Sequence, residues 1–177
     1  VFVLSHCPTD SLLIHRRIVW LFPPKCTSLV LHSLASLVPH PPENQRRQIL
    51  KEALAAISAI QSSDKSLQVL NTLMIYLPND MLGDALMTAH TIQGEYYRAS
   101  ALGDLVPLLI EWSMQQPHLS HLVFADFLQV IALRPRPQFL QDLAALMPFI
   151  LAMAGDEAPE AAEGIYHAIQ EVCVWWP

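Results

Sequence analysis

His118 and His121 stand three residues apart, so a helix places both on one face. Two imidazoles at that spacing can hold a metal ion when a third ligand arrives from elsewhere. Asp126 lies too far along the same helix to be that ligand. Pro117 marks a helix start, where histidines are commonly plain surface residues. The three cysteines, Cys7, Cys26 and Cys173, are widely separated and odd in number, with no metal or disulfide spacing. They read as reduced, structural residues of a cytoplasmic protein. His6 beside Cys7 is adjacency in sequence, which places no geometric demand on the side chains. No G-x-x-x-x-G-K-[ST] loop, H-E-x-x-H pair or nucleophile elbow occurs. The expectation is a protein that is not an enzyme and carries no metal or cofactor.

Binding residues are the next candidates. Arg46 and Arg47 fall in one inter-helix region, and Arg134 and Arg136 flank Pro135 in another. Together they could form a basic ridge for a phosphate or an acidic peptide, or remain solvated loop charge. Trp112 and Met114 lie in what reads as the longest insertion, Ile110 to Pro117. Trp112 is either a recognition residue on a loop or a plug closing the core. Trp175 and Trp176 end the chain and must pack on the last unit, on a continuation, or on a second copy. Tyr96, Tyr97 and Arg98 open a helix, where Arg98 could pair with Glu95.

Composition narrows the partner class. Hydrophobic residues make up 53% of the chain and charged residues 15%, with mean hydropathy +0.32. Either a membrane protein or a piece of a longer helical array with apolar ends fits those values. No unbroken run reaches the roughly 18–20 apolar residues of a span. Leu143 to Ala154 comes nearest and contains Pro148, so the array piece is preferred. The start at Val1 agrees with a piece. Residues 1–88 carry seven Lys/Arg against six Asp/Glu, and residues 89–177 three against ten. That balance lacks the basic stripe of a nucleic-acid binder. Asp156, Glu157, Glu160 and Glu163 read as a solvated first turn, where negative charge suits the helix dipole.

The elements that position these residues are helices. Glycine occurs only five times, and apolar residues return every three or four positions. Helices are expected over about 43–61, 63–77 and 79–93, and from about residues 95, 119, 137 and 157. An L-x-x-L-x-P pattern recurs at Leu34, Leu102 and Leu143, and a fourth copy at Leu70 delays its proline to Pro78. Partner helices carry Leu54, Ile57, Ile60, then Leu86, Ala89, Ile92, then Phe127, Val130, Leu133, with Tyr166, Ile169, Val172 as a fourth set. Leu54 to Leu86 and Leu70 to Leu102 are both 32 residues, and Leu86 to Phe127 and Leu102 to Leu143 both 41. Both helices of a pair therefore shift together, and the excess is expected in loops. Pro107 and Pro148 either bend a helix from within or end it. The fold predicted is all-α, an α-solenoid of about four helical hairpins, with 29–177 as the repeats and 1–28 as an N-terminal capping helix region.

The stretch Asp84-Ala85-Leu86 through Tyr96-Tyr97-Arg98-Ala99-Ser100-Ala101-Leu102-Gly103-Asp104-Leu105-Val106-Pro107 resembles one unit of a bacterial HEAT-like repeat. The likeness is close from about Glu52 to Leu109, loose on either side and weak before residue 29. It implies a right-handed superhelix. It also implies a sensor or interaction arm, as found beyond the NTPase module of STAND NTPases and beside effector domains. Any NTPase would lie outside this chain. The expected function is a non-catalytic protein-interaction scaffold of a larger signalling or defence protein, with no nucleic-acid or membrane partner. Its rivals are a self-assembling structural module with stacked apolar ends, a homo-oligomer, and a helical small-ligand protein or enzyme. The last predicts a cavity where His90, His118 and His121 converge.

Overall fold

The computed structural model describes residues 42–175, and among these there are helices and turns but no strand. The expected unit 1–28 and the L-x-x-L-x-P copy at Leu34 lie outside them. The helices are α1 (Glu43–Ile57), α2 (Ser63–Met74), α3 (Leu82–Thr91), α4 (Glu95–Gln115), α5 (Pro117–Ile131), α6 (Arg136–Ala154) and α7 (Ala158–Trp175). Short 3-10 turns, Asn79–Met81 and Gly155–Glu157, lead into α3 and α7.

Local chemistry sets these boundaries. Proline suits a first helical turn because its missing N–H would be unpaired there anyway, and Pro117 and Pro137 both occupy that turn. Gly94 and Gly155 take positive φ values of 81° and 55°, letting the chain reverse before α4 and after α6. Pro107 and Pro148 lie inside α4 and α6. The helix-ending alternative is thereby excluded for both.

Consecutive helices pack as pairs: α1 on α2, α3 on α4, and α5 on α6. Neighbouring pairs then meet like to like. The first helices make one row, with α3 against both α1 and α5, and the second helices another, with α4 against both α2 and α6. Leu70, Leu73, Leu102 and Leu105 are fully buried, so the copies in α2 and α4 supply equivalent core positions, whereas in the α6 copy Leu146 is fully buried and Leu143 only half-buried. On α4 the buried residues are Arg98, Ala101, Leu102, Leu105, Val106, Leu109, Trp112 and Ser113. Steps of three and four keep such a stripe on one face of a helix.

Three expectations need correction, the first being Tyr166, which is 59% exposed on α7 and no core residue. The extra residues of the longer repeat are not a loop: α4 runs 21 residues where α2 runs 12. Leu133 is no core residue. It is 89% exposed, beyond the end of α5, whose buried apolar residues are Phe124, Phe127 and Ile131. Steps of three alone drift around a helix, and a step of four is needed to hold one face.

The close of the chain is apolar. The stretch Arg136–Glu171 contains an 18-residue window of mean hydropathy 1.3, long and apolar enough to cross a membrane, of which 17% is buried. No unbroken apolar run of span length occurs in it, but an average tolerates polar interruptions. One interruption is Asp142, fully buried in α6.

Candidate functional site

Among the described residues, a buried polar cluster lies where the end of α3, the start of α4 and the turn into α6 meet. Arg98 occupies the first turns of α4 at a core-facing position and is 2% exposed. Its Nε donates to both carboxylate oxygens of Asp142, at 2.7 and 2.9 Å. Burying the two together is tolerable because each charge neutralises the other, and removal of either strands its partner. Arg98 Nη2 is buried with no hydrogen-bond partner among the described residues.

Arg134 joins from the turn between α5 and α6. Its Nε donates to His90 Nδ1 at 3.1 Å, and its Nη2 donates a short bond to the His90 carbonyl. Nη1 reaches Gln138 Oε1 at 3.4 Å, and Nε lies 3.7 Å from Asp142 Oδ2. Asp142 thus sits between two guanidinium groups. Burial, and then the like charge of Arg98, lower the Arg134 pKa from its ordinary value. His90 is also held below its ordinary value, first by burial and then by Arg134. Its ring meets Phe127 edge-on, with centroids 6.2 Å apart.

These residues border a cavity of about 500 Å³, lined by His90 to Glu95, Arg98, Arg134 and Gln138. Of the three histidines expected to converge, only His90 lines it. His118 and His121 are exposed on the first turns of α5. No group of three metal-ligating side chains occurs among the described residues.

The remaining candidates are scattered. Arg47 pairs with Asp80 at 3.1 Å and lies 3.9 Å from Glu43. Asp80 precedes α3 while His90 is near its end. Since α3 has 10 residues, rising 1.5 Å each, Arg47 and Arg134 sit at ends about 15 Å apart. The two arginine pairs therefore do not make one ridge. Arg46 is half-buried in the first turn of α1, and Arg136 is half-buried at the start of α6. Trp112 is 3% exposed in the last turn of α4, packed into the core, so it offers no recognition surface. Met114, 78% exposed, holds the outer side of that turn. Trp175 is the last residue of α7, and Trp176 lies outside the described residues.

Sequence reasoning placed His90 at a cavity but in the wrong company, missed Asp142 and Gln138, and gave Arg98 the wrong acid. The available signal was Asp142 itself, the lone acid in the apolar α6 segment. Compared with protein-family models, with curated proteins and with solved structures, the chain matches none.

Proposed function

We propose that this chain is a non-catalytic interaction module: a right-handed, HEAT-like α-solenoid serving as the sensor or scaffold arm of a larger cytoplasmic signalling or defence protein. One observation carries the reading. Helix pairs stack like to like, and leucines at matching positions of α2 and α4, with Leu146 of α6, fill the core. Repetition of that kind makes a long surface from short units, which suits binding a macromolecule. The surface of the described residues includes exposed apolar side chains that a protein partner could cover, among them Met114, Leu119 and Leu122 around the α4–α5 corner.

The test is affinity capture from lysate with the full chain as bait, repeated with Leu119→Asp/Leu122→Asp. A specific protein lost from the variant, with the circular dichroism melt unchanged, supports the interaction role. Equal capture by both baits removes this corner from it.

Self-assembly is a second reading, favoured by the low burial of the apolar stretch through α6 and α7. It predicts mass in light scattering that rises with concentration. Co-sedimentation with phosphatidylcholine vesicles distinguishes it from membrane association, which the same stretch would also permit.

A further inference from the structure

We propose that the cavity at the α3–α4 corner binds an oxyanion group, a carboxylate or a phosphate, held by Arg134, the buried Arg98 and the N-terminus of α4. The first contribution is backbone. Intrahelical bonding in α4 begins with Arg98 N–H to the Gly94 carbonyl at 3.1 Å, so the N–H groups of Glu95, Tyr96 and Tyr97 precede it. Gly94 has no side chain to cap them, and α4 has no side-chain cap bond. Uncapped N–H groups at the positive end of a 21-residue helix form an anion seat.

A helix end alone is an ordinary feature; the independent observation is Arg98. This residue borders the cavity, is 2% exposed, and carries an Nη2 with no acceptor among the described residues. Its Nε donates to both oxygens of Asp142, while Nη2 bonds neither. A buried cationic N–H without an acceptor is costly, and a small shift of the Arg98 guanidinium toward an anion in the cavity it borders would supply an acceptor of matching charge. Arg134 contributes a second guanidinium to the lining, oriented by His90 and Gln138. An oxyanion between the arginines offsets their mutual repulsion, which the single charge of Asp142 must otherwise balance.

Glu95 is the natural competitor. It lines the cavity and is exposed, so its carboxylate guards the same mouth. At about 500 Å³ the space exceeds a lone carboxylate or phosphate, leaving room for the body of a larger molecule.

The test uses the full, isotope-labelled chain in ¹H–¹⁵N spectra. Inorganic phosphate and acetate are titrated separately against chloride at constant ionic strength. The expected result is saturable shifts of the Gln93 to Tyr97 amides and of the Arg98 Nε–Hε signal. Arg134→Gln should weaken binding about tenfold, a charge-assisted contact being lost. Glu95→Gln should tighten it about threefold, an exposed like charge being removed. Arg98 is read through its own resonance because its substitution would disturb the fold. Saturation by one anion alone supports the site and identifies the source. Shifts that chloride reproduces, no saturation with either anion, or unweakened binding by a folded Arg134→Gln protein would overturn it.

Discussion

Arg98 and Asp142 form the most consequential pair of side chains in the described structure. Both are buried, so neither charge can fall back on water. Asp142→Asn should destabilise the fold by about 3–5 kcal/mol, measured as a fall in urea midpoint at constant slope, because it leaves Arg98 buried and uncompensated. Replacing both with apolar residues, Arg98→Met/Asp142→Leu, should recover most of that loss. Recovery no better than the single variant would mean that the pair is needed for something besides charge balance. His90 makes a prediction about pH. Its folded pKa lies below the ordinary 6.5, chiefly through burial and then through Arg134, so the unfolded chain takes up the proton more readily. The stability due to neutral His90 is therefore complete above about 6.5 and is lost as pH falls through that value toward the folded pKa. His90→Gln should flatten this part of the stability profile. An unchanged slope would assign the acid sensitivity to other groups.

At the scale of elements, the turn between α3 and α4 sets the site. Gly94 holds φ 81° and ψ 123°, a backbone conformation that side-chain-bearing residues rarely adopt. Gly94→Ala should cost about 1–3 kcal/mol. An added Cβ would also meet the Tyr97 ring at 3.3 Å. The same change should blur the shifts that anions produce at Gln93 to Tyr97, since the turn aims those N–H groups. Gly83 has a different role. A Cβ there would lie 2.9 Å from a Val123 methyl, so glycine allows α3 and α5 to approach closely. The helix boundaries were largely legible in the sequence because prolines, glycines and apolar periodicity act within a few residues. The length of α4 was not. Trp112 prefers burial, and the core of the neighbouring helices lets the chain stay helical to Gln115, where composition alone suggested a loop.

For the whole molecule, α4 is the keystone, since it packs on α2, α3, α5 and α6. Leu105, fully buried at its centre, should cost about 2–5 kcal/mol when cut to alanine, because the cavity left behind is walled by several helices. Leu133→Ala should change stability by no more than about 0.5 kcal/mol, as the residue is 89% exposed. Chemical denaturation of both variants tests the contrast: comparable losses would contradict the placement of these two leucines. The sequence by itself determined the helical class, the pairing of helices and most of the core leucines, because a 3.6-residue period and helix-breaking residues are local physics. Only the tertiary structure decided which charges meet. Arg98 finds Asp142, and Arg134 finds His90, each across 44 residues, through the stacking of neighbouring helix pairs. That stacking depends on how side chains interlock, which no local spacing encodes. It closed one cavity around residues from three helices and drew Arg134 away from Arg47.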